Sequence, residues 1–210
     1  MHRAVAAGLF LFFTSTAVIV AAKPKFLSTW KAPGAAQTTF AGKKVAALVI
    51  STDDSLRMSG EEALVRELVA RGMQGVAAYR IVPREELQSA DRARGWFERS
   101  AVEGVVALRP VSSEKRHTYT SPTVWANPYY GSLWGYYGYG WGAVYIPGSE
   151  REDTIVVVET LIYSVPRNEL LWAGASETKN PKTLQQFITD LAKETTEQLK
   201  KQGLVRQASR

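Results

Sequence analysis

The chain has 210 residues, a formal net charge of +6 and no cysteine. That length suits one domain with its own core. The missing cysteine excludes disulfides, thiolate nucleophiles and cysteine-based metal centres. The positive balance is modest and contains no run of five or six like charges, so it favours acidic partners only weakly.

Residues 1–22 read as an export signal. Arg3 supplies the positive start, Leu9 to Phe13 and Ala17 to Val20 the apolar run, and Val20-Ala21-Ala22 the small-residue cleavage site. The alternative is a retained anchor, since residues 4–22 carry no charge and nearly suffice to span a bilayer. Thr14, Ser15 and Thr16 interrupt the run and favour cleavage. Both readings take the chain out of the cytoplasm, to the periplasm or cell envelope. Residues 23–43, with Pro24, Pro33, Gly34 and Gly42, read as a linker. Trp30 and Phe40 are expected to dock on the domain body.

A single α/β domain is expected over residues 44–202, with a flexible tail at 203–210. Val45 to Ile50 is a continuous apolar run, the pattern of a strand buried on both faces. Ser51 to Met58 is expected as loop, and Ser59 with Glu62 as the capping box of a helix. That helix would bury Leu64, Val65, Leu68 and Val69 and end at Gly72. Gly75 to Val82 reads as a second strand. Residues 85–102 read as helix, broken near Ser89, with Ala93, Trp96, Phe97 and Ala101 inward. Val105 to Leu108 is a third strand. Two strand–helix–strand units in succession imply parallel pairing with right-handed crossovers. Residues 154–165 and 170–173, joined by Pro166-Arg167-Asn168, read as an antiparallel hairpin. Asn180 and Pro181 are expected to start a last helix, with Leu184, Phe187, Ile188 and Leu191 on its buried face. The order is β-α-β-α-β, insertion, β-β-α: an α/β fold with a mixed sheet and helices packed on it.

The insertion, residues 118–149, holds no Asp, Glu, Lys, Arg or His. Its aromatic residues are Trp125, Tyr129, Tyr130, Trp134, Tyr136, Tyr137, Tyr139, Trp141 and Tyr145, set among glycines. Tyr137, Tyr139, Trp141 and Tyr145 alternate with other residues, which predicts a strand with one aromatic face. Residues 118–125 would be its partner and 126–136 the tip. Glycine content suggests an exposed or partly covered arm. Four uses compete: a low-complexity surface loop, a protein-contact arm, a membrane contact and a glycan platform. Nucleic acid is excluded as partner by the export signal and by the absence of basic residues to meet phosphates.

Ser28-Thr29-Trp30-Lys31-Ala32-Pro33, then Lys44 to Ile50, then Leu170 to Thr178 resemble a group of uncharacterised proteobacterial envelope lipoproteins. The topology is also similar to the N-terminal domain of the Tol-system β-propeller protein and to the periplasmic domain of the curli-secretion lipoprotein. The resemblance implies a non-enzymatic envelope role in assembly or protein contact. It supplies no catalytic residue and no cofactor, and this chain lacks the cysteine on which the lipoproteins are acylated.

Asp53 and Asp54 are the best candidates for small-site chemistry. They follow the first buried strand, at the edge where open α/β sheets bind ligands. Two carboxylates there could help hold Mg²⁺ or Ca²⁺, though two acids alone do not complete a coordination shell. The competing reading is a turn whose aspartates cap backbone amides. His117 is the only histidine beyond the signal and reads as a loop residue. No phosphate loop, nucleophile elbow or metalloprotease motif is present. The expected function is thus a non-enzymatic envelope protein that meets an envelope partner or membrane surface through its aromatic insertion. The alternative is an ion-binding or enzymatic domain using Asp53 and Asp54.

Overall fold

A computed structural model describes residues 23–111, 128–142, 155–179, 181 and 183–205. Six strands form one mixed sheet: β1 (Lys25–Lys31), β2 (Lys44–Val49), β3 (Gln74–Ala77), β4 (Gly104–Val111), β5 (Ile155–Ser164) and β6 (Glu169–Lys179). Their order across the sheet is β1-β6-β5-β4-β2-β3. β2 pairs in parallel with β3 and β4, and the other pairings are antiparallel. The helices are α1 (Asp54–Val69), α2 (Ala90–Arg99), α3 (Pro128–Gly131), α4 (Leu133–Gly142) and α5 (Leu184–Lys201).

The continuous apolar run of β2 has the expected cause. Val45, Ala47 and Val49 enter one core with Leu64 and Leu68 of α1 and Phe187, Ile188 and Leu191 of α5. Ala46, Leu48 and Ile50 enter the opposite core with Ala93 and Phe97 of α2 and the aromatic residues of α3 and α4. Alternate residues of a strand point to opposite faces, so a sheet covered on both sides needs apolar residues at every position. The architecture is therefore helix, sheet, helix in three layers.

Several sequence expectations are corrected. The supposed linker contains β1, which alternates exposed and half-buried residues. Phe26 packs edge-on against Trp172 with ring centroids 5.4 Å apart. Phe40 is buried as expected, and it occupies the space a side chain at position 104 would need. Helix α1 begins more than a turn before Ser59. Its N-cap is Asp53, and Ser59 lies within the helix, donating back to the Ser55 carbonyl at 2.5 Å. Val69, expected inward, is exposed. β3 stops at Ala77, where the chain turns into a short 3-10 helix over Ala78–Arg80. Thr183, not Asn180, caps α5 through the Gln186 amide. The tail is docked at its start, because Leu204 and Val205 are buried in the α1–α5 core. The break at Ser89 is as expected, with Ser89 capping α2.

The positive charge has a structural use. α1 and α2 each run back from a carboxyl end of a parallel strand, and α5 returns in the same sense. Their C-termini, with partly negative carbonyls, gather at the opposite sheet edge. Arg71 donates to the Glu67 carbonyl of α1 at 3.1 Å. Lys44 donates to the Ser100 carbonyl after α2 at 2.9 Å, and Lys31 to the Gln202 carbonyl after α5 at 2.8 Å. Each basic side chain satisfies a carbonyl that the helix itself leaves open.

Candidate functional site

The described part of the aromatic segment is helical, not a strand. Residues 133–142 form α4. Read at helical spacing, Leu133, Tyr136, Tyr137 and Gly140 fall on one face, and all four are buried. The odd-numbered alternation that suggested a strand runs across this stripe. Tyr130 and Trp134 are buried too, and Trp141 is half-buried. Residues 128–142 are thus core, contrary to the exposed or partly covered arm expected, and among their rings only Tyr129 and Tyr139 stand out to solvent, 57% and 37% exposed. These two stack with centroids 5.5 Å apart. Trp125, Tyr145 and His117 lie outside the described residues. Gly140 lets α4 lie close on the sheet, since a Cβ there would sit 2.6 Å from Ile50 Cδ1.

Beneath α3 and α4 lies a buried ion pair. Arg109 on β4 and Glu159 on β5 are direct cross-strand partners. Arg109 Nε donates to Glu159 Oε2 at 2.8 Å, and its terminal nitrogen lies 2.6 Å from the same oxygen. Tyr130 donates to Glu159 Oε1 at 2.8 Å and Tyr136 to Oε2 at 3.3 Å. Tyr163 of β5 donates to the Tyr130 carbonyl at 3.0 Å. The Arg109 guanidinium also lies over Tyr139, 5.1 Å from the ring centre. Two helices without charge are therefore fastened to the sheet by phenols from above and a carboxylate from below.

Electrostatics keep the phenols protonated and the guanidinium charged. Burial, then the charge of Glu159, holds the Tyr130 and Tyr136 hydroxyls far above the usual phenol range, so both remain donors. Burial opposes the charge on Arg109, but Tyr136 and Glu159 more than reverse that effect and raise its pKa. Glu159 is fully buried. The arrangement is a closed hydrogen-bonded brace, and its chemistry is that of attachment.

A second buried carboxylate, Glu61 of α1, stands at the same carboxyl end of the parallel strands but on the opposite face of the sheet. β2 continues beyond the end of β3, and the Val49 amide has no strand partner on that side. Glu61 accepts from Val49 N at 3.1 Å and from Tyr79 N at 2.8 Å, closing the gap left by the short strand. Burial raises its pKa to about 7 despite these two amides and the nearby Arg57.

Asp53 and Asp54 do not converge on a common point. Asp53 accepts from Ser55 N at 2.8 Å and Leu56 N at 3.0 Å. Asp54 pairs with Arg57 at 3.1 Å and Arg84 at 2.7 Å. Among the described residues, no group of three or more His, Asp or Glu is placed to hold a metal ion. Arg109, Glu159 and Glu61 were missed by sequence reasoning. The signal was present in a single charge inside an apolar strand, at Val-Val-Glu159-Thr-Leu and Ala-Leu-Arg109-Pro-Val. A crevice of about 20 Å³ lies between α1 and α5, lined only by apolar side chains and Gly60.

No family model and no curated protein matches the chain. Solved structures do. A PelC dodecamer from Paraburkholderia phytofirmans aligns with TM-score 0.46 and 13% identity over 86% of this chain and 97% of that one. A variant of that PelC aligns with TM-score 0.47 and 13% identity over 85% and 99%. Lipoprotein GNA1162 from Neisseria meningitidis aligns with TM-score 0.40 and 10% identity over 76% and 99%. These structures include a dodecamer and a lipoprotein, at identities that leave function to be argued from the residues.

Proposed function

We propose that the chain is a non-enzymatic protein of the cell envelope, in which the α/β body holds a charge-free aromatic layer for contact with a partner. The observation that carries this reading is the asymmetry of that layer. Tyr130 and Tyr136 fasten it to Glu159 and Tyr137 is buried in the core, while Tyr129 and Tyr139 stack on each other and are exposed. Tyrosine offers large contact area at small entropy cost, so an exposed pair on a rigid support suits protein contact. Export of the chain by residues 1–22 belongs to the same reading.

The test is site-specific photo-crosslinking in cells, with the crosslinker at 129 or 139 and, as control, at exposed Val69 on the far layer. A discrete envelope product from 129 and 139 but not from 69 supports the reading. Identical patterns from all three positions would refute it. Tyr129→Ser/Tyr139→Ser should lose the product yet unfold within a few degrees of the parent, because neither ring is buried.

A further inference from the structure

We propose that the carboxyl ends of β2 and β3 hold a binding site for a small carboxylate, built from Arg57 of α1 and from Tyr137 and Trp141 of α4. The topology marks this place. After β2 the chain enters α1 in one helix layer, and after β3 it enters α2 in the other. Neighbouring parallel strands whose connections leave on opposite faces are where open α/β sheets bind ligands, beyond the carboxyl ends. β3 stops at Ala77, opposite Ala47, while β2 runs on to Val49. Past the end of β3, Glu61 of α1 reaches the Tyr79 amide. From the other layer α4 closes on the same strand end, with Gly140 against Ile50.

Three buried donors there have no hydrogen-bond partner among the described residues. They are Arg57 Nε, the Tyr137 hydroxyl and Trp141 Nε1. Arg57 is 5% exposed and Tyr137 is fully buried. Tyr137 and Trp141 stand one helical turn apart, with ring centres 6.2 Å from each other. Burial above all raises the Tyr137 hydroxyl beyond the usual phenol range, and it also feels the charges of Glu61 and Arg57. Buried donors are matched in folded proteins, so three open ones in one neighbourhood call for an acceptor.

Charge selects that acceptor. Asp54 is shared between Arg57 at 3.1 Å and Arg84 at 2.7 Å, so it offsets one guanidinium of the two. Asp53 is turned onto the α1 amides. A carboxylate brings one negative charge and acceptor oxygens only, which suits one buried guanidinium and two neutral donors. Glu61 faces Arg57 of its own helix, the amides of Val49, Ala78 and Tyr79, and the Tyr137 phenol. Burial holds its pKa at about 7, so above that pH it becomes a competing anion beside Arg57.

The test follows the indole N–H resonance of Trp141 in the isotope-labelled full chain, assigned by its loss in Trp141→Phe, as acetate is added at constant ionic strength. At pH 6 the resonance should move saturably with acetate and not with chloride. A site open only while Glu61 is protonated should bind about tenfold more weakly at pH 8. Glu61→Gln should erase that difference, and Arg57→Met should lose the saturable shift. Tyr137→Phe should bind acetate several-fold more weakly, yet without acetate it should unfold no lower than the parent. The hydroxyl it removes has no partner among the described residues, so a merely structural role would give the reverse pattern. No saturable shift, an equal shift with chloride, or full affinity in Tyr137→Phe or Arg57→Met would overturn the proposal. Equal affinity of the parent at pH 6 and 8, or a pH difference that survives Glu61→Gln, would overturn it as well.

Discussion

Removing the carboxylate from the buried brace is the most demanding test of how the aromatic layer is held. In Glu159→Ala, Arg109 keeps a charge only 4% exposed and loses its cross-strand ion pair with Glu159. Tyr130 and Tyr136 lose their hydrogen bonds to Glu159 at the same time. Breaking one side of a buried pair costs about 3–5 kcal/mol, most of it the penalty of the stranded charge. Stranded hydroxyls add about 1–3 kcal/mol each where they find no other partner. A loss of about 4 kcal/mol corresponds to a fall in Tm of roughly 8–16 °C for a domain of this size. Urea unfolding followed by far-UV circular dichroism measures it, with near-UV circular dichroism reporting the tyrosine layer. Replacing both partners by apolar residues, Arg109→Met/Glu159→Leu, should cost less than Glu159→Ala alone, because no charge is then stranded. If Glu159→Ala loses less than about 1 kcal/mol, or the double variant loses more than the single, the brace does not hold the layer as described.

Glu61 sets a pH dependence. Its folded pKa of about 7 lies above the unfolded value of 4.5, so the folded state binds the extra proton between them. Stability should be greatest below pH 4.5 from this group and fall as pH rises to 7, by about 3 kcal/mol at most. Urea unfolding of the parent and Glu61→Gln at pH 5 and 8 checks this, and the variant should lack that fall. Gly140→Ala should cost about 1 kcal/mol, because overpacking against Ile50 outweighs the gain in helix propensity. Ile50→Val removes the obstructing Cδ1, so a double-mutant cycle should show favourable coupling between the two sites. Asp53→Ala should destabilise by about 1 kcal/mol and Asp53→Asn by far less, since an amide oxygen still caps α1. Calorimetric titration with Mg²⁺ or Ca²⁺ that showed binding lost in both variants would revive the ion-site reading.

Much of the body was legible because its signals are local. The β2 run, the Ser89 break and the Pro166-Arg167-Asn168 turn before β6 each state their structure within a few residues. β1 was less legible. Its half-buried alternation is weak, and it becomes a strand only because β6 offers it an edge. The start of α1 shows the same limit, since two capping signals, Asp53 and Ser59, competed and position along the sheet chose the first.

The aromatic segment separates what the chain alone determines from what folding decides. Composition determines that residues 118–149 carry no charge and many rings, and export is argued from residues 1–22 in the same way. Helix or strand could not be settled there, because Gly-Tyr alternation satisfies period two while Leu133, Tyr136, Tyr137 and Gly140 satisfy period 3.6. The tertiary structure decides it by supplying a surface that fits one period. Ile50 accepts Gly140, and Glu159 with Arg109 accepts the phenols of Tyr130 and Tyr136. Those partners are distant in sequence, the tyrosines standing 29 and 23 positions before Glu159. A buried carboxylate must find donors or cost several kcal/mol, and that requirement, absent from any local window, turns the aromatic rings inward.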